Sequence, residues 1–201
     1  MNNFLQRRLL DVVRLIVASY GRFAAVPTAG RQTIYFANHT SHLDTLAILA
    51  ALPKVVRDAV RPVAARDYWD SSSLKRFVAK QILDVVFVER NGTAGTDPLK
   101  FVRGALASGS SIIIFPEGTR SATAEIGAFR SGLYRLALEF PDVDLVPVYL
   151  SNVARAMPKG KVLPIPLMCQ VLFGEAMLPM AGEEKSAFLE RARQSVVALR
   201  G

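Results

Sequence analysis

The sequence predicts an α/β fold: a single domain with a mostly parallel or mixed central sheet covered by helices, preceded by an N-terminal amphipathic helix. Two observations carry this. Segments of strand character alternate with segments of helical period. Three of the strands, Ile34-Tyr35-Phe36-Ala37, Val85-Val86-Phe87-Val88 and Ile112-Ile113-Ile114-Phe115, are apolar at every position. Strands with no polar face are buried on both sides, as in a sheet layered by helices. The 201 residues suffice for one full core.

The elements follow in order. Across residues 4–22, Leu5, Leu9, Val12, Val13, Ile16 and Tyr20 share one face, and Arg7, Asp11, Arg14, Ala18 and Arg22 the other. That period predicts an amphipathic helix, and residues 1–24 are assigned to it. Its basic polar face fits two sites equally: the headgroups of an anionic membrane, or the surface of its own domain. Residues 25–201 make the globular domain. Gln32–Ala37 reads as a strand, and Leu43–Leu52 as a helix. Pro62–Ala65 is a short strand, and residues 72–83 a helix carrying Lys75, Arg76 and Lys80. Val85–Val88 is a strand closed by the Asn91-Gly92 turn signal. Asp97-Pro98 opens a helix to about Ala107, with Pro98 at its first position. Ile112–Phe115 is a strand, and Ser131–Phe140 a helix stopped by Pro141. Leu145–Leu150 and Met168–Phe173 are strands, separated by a proline-rich loop at 158–166. Glu183–Leu199 is the closing helix.

Composition removes several function classes. Hydrophobic residues make up 51% of the chain, but no stretch approaches the roughly 20 apolar residues of a spanning helix. Arg7, Arg8, Asp11 and Arg14 break up any secretory signal core, which places the chain on the cytoplasmic side. Cys169 is the only cysteine, so an internal disulfide and a thiolate metal site are both excluded. With two histidines and no carboxylate cluster beside them, no metal site is expected. A net charge of +8 points to an anionic partner or only to solubility, and composition does not choose between them.

Three polar clusters follow apolar strands directly: Asn38–Asp44, Glu89-Arg90, and Pro116–Ser121. The carboxyl ends of parallel strands share one edge, where ligands bind, so distant segments can build one pocket. His39 is the candidate general base and Asp44 the carboxylate that would fix its tautomer. Arg90 and Arg120 carry guanidinium forks suited to phosphate. Gly118, lacking a side chain, lets backbone N–H groups approach a ligand. No strong nucleophile accompanies the base, which favours direct attack by a substrate hydroxyl. Structural explanations compete. Ser41 and Asp44 also satisfy a capping box, and Pro116–Ser121 reads equally as a turn with a solvated arginine.

Taken together, the clusters resemble the glycerophosphate and lysophosphatidic acid acyltransferase family, of the 1-acylglycerol-3-phosphate O-acyltransferase type. The family's Asn-His, four residues, Asp is here NHTSHLD; its apolar strand ending in arginine is VVFVER, ending at Arg90; its FPEGTRS stands intact at Phe115–Ser121. Phe129–Gly132 is similar to the family's Phe-Lys-x-Gly, and a Val-Pro-Val strand follows at 146–148. One departure is Asp84, at the opening of the second motif, where the family commonly has glycine; it puts the local turn in question.

The resemblance implies an acyltransferase domain that moves a fatty acyl group from acyl-CoA or acyl carrier protein to the hydroxyl of a lysophospholipid. Lysophosphatidic acid, giving phosphatidic acid in phospholipid biosynthesis, is the leading acceptor. Glycerol 3-phosphate, a lyso-ornithine lipid or another lysolipid fits the same motifs. His39 and Asp44 would form the base pair. Arg90 and Arg120 would bind the acceptor phosphate, with Glu117, Gly118 and Thr119 shaping the acceptor site. No cofactor is implied beyond the acyl thioester. The expected location is peripheral, on the cytoplasmic face of the cell membrane. A basic nucleic-acid-binding domain is the rival from another class, resting on charge alone; no nucleic-acid signature supports it.

Overall fold

The structure, a computed structural model, describes residues 20–25, 27–28, 30–41, 43–66, 72, 76–77, 79, 83–88, 97–121, 125–151 and 169–200. In chain order these form β1 (Tyr20–Phe23), β2 (Thr33–Ala37), α1 (Asp44–Ala51), α2 (Lys54–Arg57), β3 (Val60–Ala65), β4 (Val86–Val88), α3 (Lys100–Ala107), β5 (Ser111–Ile114), α4 (Gly132–Glu139), β6 (Asp144–Ser151), β7 (Gln170–Phe173) and α5 (Lys185–Ala198). The seven strands make one sheet, in the order β1-β7-β6-β2-β5-β3-β4. From β6 to β4 every neighbouring pair is parallel. β7 runs antiparallel to β6, and β1 lies parallel to β7. The sheet is thus mixed and mostly parallel, within an α/β domain.

The fully apolar strands are buried on both faces. In β2, Tyr35 and Ala37 point to one side, where they pack with Ala47, Ile48, Ala51 and Leu52 around α1. Ile34 and Phe36 point to the other, against Val102 and Leu106 of α3, Leu133 and Leu136 of α4, and Phe188 of α5. Period-2 alternation therefore feeds two cores from one strand. Pro147 sits within β6, next to β2, but its register lies just beyond the last pair with β7, Val148–Phe173. A missing N–H is tolerated there. Gly174 lets the chain leave β7 past it: a Cβ on Gly174 would lie 2.8 Å from the Pro147 ring.

Two expectations are corrected. The helical period predicted through Arg22 does not hold to that point, because Tyr20–Phe23 is β1, a strand of the sheet. Gly21 disfavours a helix interior, and its lack of a side chain admits close packing: a Cβ would lie 3.1 Å from the Ala51 carbonyl oxygen. Phe23 then stacks on Phe173 with ring centroids 4.4 Å apart. The rest of the N-terminal helix, most of the helix at 72–83 and the loop at 158–166 lie outside the described residues. Helix α3 begins at Lys100 rather than Pro98, because the Asp97 carboxylate accepts the Leu99 N–H at 3.1 Å and holds Pro98 in a turn.

The departure at Asp84 has a physical reading. Its φ is +48°, the one non-glycine in the left-handed region among the described residues. Glycine takes that conformation without the Cβ penalty. Asp84 is held in it by Arg61, which donates to its carbonyl at 3.2 Å and to its carboxylate at 3.0 Å. Asp84→Gly should therefore change stability by less than about 1 kcal/mol, relief of strain offsetting the lost surface ion pair. Asp84→Val should cost more than about 1 kcal/mol, since a β-branched side chain fits this region worst. Denaturant midpoints of the two variants check this; equal costs would contradict it.

Candidate active site

β2, β5, β3, β4 and β6 end on one edge of the sheet, and the predicted clusters meet there. The turn after β2 folds around a single oxygen. Asp44 Oδ2 accepts the Thr40 N–H at 2.6 Å and the Ser41 N–H at 2.8 Å, and lies 2.9 Å from His39 Nδ1. Asp44 is fully buried, whereas 19% of the His39 side chain is exposed. The other carboxylate oxygen, Oδ1, is buried without a hydrogen-bond partner among the described residues. Asp44 also opens α1, where its charge favours the helix N-terminus. Half of the predicted capping box is present. Asp44 reaches back to the Ser41 N–H, but Ser41 Oγ accepts from Leu43, at 3.3 Å, rather than from Asp44.

Glu117 ties this turn to the one after β5. One carboxylate oxygen accepts the His39 N–H at 2.8 Å and the other the Gly127 N–H at 2.9 Å. The Ser121 N–H closes the loop onto the His39 carbonyl at 2.8 Å. Glu117 is thus spent on two backbone amides. Gly118 has φ +72°, and the room left by its missing side chain is filled by Arg130. Thr119 and Arg120 are exposed on the same turn. β4 ends on this edge at Val88; Arg90 and His42 lie outside the described residues.

The structure adds side chains that the sequence did not single out. Phe115 stacks on the His39 ring, centroids 4.2 Å apart and 20° from parallel. With Asp44 on Nδ1, it fixes the imidazole by face and by edge. Asn38 continues β2 with its side chain: its amide donates to the Leu150 carbonyl at 3.2 Å and accepts the Leu150 N–H at 2.8 Å. Both residues belong to the quoted motifs, so position was a signal for them, but contact partners were not readable. Cys169 is buried, and desolvation together with the charge of Asp44 pushes its thiol up to about 11. It is a neutral thiol at pH 7 and a poor nucleophile.

A family model described as "Acyltransferase" matches residues 22–151, which span β2 to β6 and contain this whole site. The chain belongs to the acyltransferase family. It is similar to a chloroplast 1-acyl-sn-glycerol-3-phosphate acyltransferase of Arabidopsis thaliana, 30% identical over 67% of this chain and 36% of the relative. It is also similar to the enzyme of that name from Cocos nucifera, 30% identical over 68% of this chain and 43% of the relative. The matched stretch therefore covers less than half the length of these relatives. Among solved structures, it superposes on the 1-acyl-sn-glycerophosphate (LPA) acyltransferase of Thermotoga maritima. The TM-score is 0.72 at 18% identity, over 100% of this chain and 83% of that one, a likeness of fold. In this acyltransferase chain, the family-matched turns are the two that Glu117 joins.

Glu117→Gln keeps the size but turns one acceptor into an N–H₂ facing a backbone N–H. It should destabilise the fold by about 1–3 kcal/mol through the orphaned amide. Denaturant unfolding checks this, and an unchanged midpoint would contradict the clamp.

Proposed function

We propose that this acyltransferase esterifies the free hydroxyl of 1-acylglycerol-3-phosphate with an acyl group from acyl-CoA or acyl carrier protein, giving phosphatidic acid. The observation that carries the reading is His39 held by Asp44 and Phe115, with Nε2 lacking any hydrogen-bond partner among the described residues. Asp44 keeps the proton on Nδ1, so Nε2 accepts the proton of the acceptor hydroxyl. The oxygen attacks the thioester carbonyl, and the tetrahedral intermediate collapses by expelling the thiolate, which recovers the proton from His39. The buried, neutral Cys169 leaves direct transfer as the simpler route.

Three amides next to His39 take no part in oxyanion stabilisation. The His39 N–H is bound to Glu117, and those of Thr40 and Ser41 to Asp44. Other donors at this edge must meet the developing charge. Arg90 and Arg120 are assigned to the acceptor phosphate. Glu117 and Gly118 shape its site by holding the turn, and the exposed Thr119 is assigned to the same site. The names of the relatives support the acceptor class. A peripheral site on the cytoplasmic face of an anionic membrane is supported by the +8 charge and the basic period of the N-terminal residues. No helix among the described residues is long and apolar enough to cross a membrane.

Purified protein supplied with 1-acylglycerol-3-phosphate and an acyl thioester should form phosphatidic acid. His39→Ala should lower the rate about 10²–10⁴-fold. A lysolipid without the phosphate should be a poor acceptor. Undiminished turnover by His39→Ala would overturn the mechanism, and no transfer to any lysophospholipid by the unaltered protein would overturn the function.

A further inference from the structure

We propose that Arg130 is a third cation of the acceptor site and reads the acceptor's phosphate; this rests on the acyltransferase reading above. Arg130 lies outside the three polar clusters, in the Phe129–Gly132 segment, yet the fold fastens it to the turn after β5. Its N–H donates to the Pro116 carbonyl at 2.9 Å, and its Nε donates to the Glu117 carbonyl at 3.2 Å. Phe129, packed edge-on against Phe36, anchors the segment beneath the sheet.

The guanidinium lies over Gly118. A Cβ built on Gly118 would stand 2.5 Å from Arg130 Nε, 2.9 Å from Cδ and 3.0 Å from Cζ. Glycine is therefore required twice at 118, by φ and by the arginine laid across it. The charge of Arg130 is not neutralised. Arg31, Arg61, Arg103, Arg191 and Arg193 are each ion-paired with an Asp or Glu. Arg130 has no acidic partner among the described residues, because the adjacent Glu117 carboxylate is occupied by two amides. Anchoring at Nε leaves Nη1 and Nη2 without a protein acceptor among those residues. An exposed, oriented fork with uncompensated charge, on the turn that also carries Thr119 and Arg120, suits the oxygens of a phosphate monoester.

Acyl-CoA also carries phosphates, so the test varies acceptor and donor separately. Arg130→Gln and Arg130→Lys are compared with Arg135→Gln, an exposed arginine of α4, in steady-state kinetics. Calorimetry follows binding of a soluble short-chain 1-acylglycerol-3-phosphate with no thioester present. Arg130→Gln should raise the acceptor KM and weaken that binding about 10–100-fold, the worth of a charge-assisted contact. The KM for acyl-CoA and the behaviour of Arg135→Gln should not move. Arg130→Lys, which keeps the charge but not the fork, should fall between, and it carries the test if Arg130→Gln melts early. Acceptor binding that depends on Arg130 in a protein that transfers no acyl group would sustain this assignment and overturn the acyltransferase reading. An active enzyme whose acceptor KM and binding ignore both substitutions, or a rise confined to the acyl-CoA KM, would overturn the assignment alone.

Discussion

The site depends on one buried oxygen. Asp44 Oδ2 gathers the Thr40 and Ser41 amides and His39 Nδ1 into one turn. Each is a charge-assisted contact shielded from water, the setting in which hydrogen bonds are strongest. The cost is a buried carboxylate whose second oxygen has no partner among the described residues. That arrangement persists only if the surroundings hold it. α1 supplies a helix N-terminus, and Glu117 pins the neighbouring amide from the next turn. Helix start and imidazole orientation are therefore one interaction, so the capping and catalytic interpretations of Asp44 are two consequences of the same bonds.

Sheet topology makes this local device into a site. The parallel pairing of β2 with β5 aligns Phe36 with Ile114 and brings the two following turns side by side. Phe115 then falls on the His39 ring, and Glu117 reaches the His39 amide. Asn38 binds the main chain of Leu150 and so secures the opposite flank, against β6. The turn of the proposed base is thus held from both neighbouring strands. Such over-determination is what a group needs to be kept in productive geometry.

Much of this was legible in the sequence, because it rests on short-range chemistry. Apolar runs with no polar face located β2, β4 and β5, and the polar clusters after them marked the edge. His39 and Asp44 were readable as a pair because five positions separate them across a strand-to-helix turn. What was not legible depended on partners distant in sequence. Tyr20 continued an apolar helical period, and only its pairing with β7 makes Tyr20–Phe23 a strand. Glu117 was read as shaping the acceptor site, but its two amide partners, one from each neighbouring segment, were not readable. Arg130 was legible only as part of the Phe129–Gly132 segment, because its relation to Gly118 spans twelve residues and a loop. Asp84 was flagged as a departure, and its left-handed φ shows why glycine suits that position.

The central claim is that Asp44 holds His39 as the Nδ1–H tautomer and leaves Nε2 to take the proton. The chain has only two histidines, so ¹⁵N NMR of the labelled imidazoles can resolve the claim directly. At a pH where His39 is neutral, its Nδ1 should appear protonated and its Nε2 bare, opposite to the Nε2–H form that free imidazole side chains favour. Asp44→Asn should weaken that preference. A His39 spectrum showing Nε2–H, or the same tautomer mixture with and without the Asp44 carboxylate, would contradict the account.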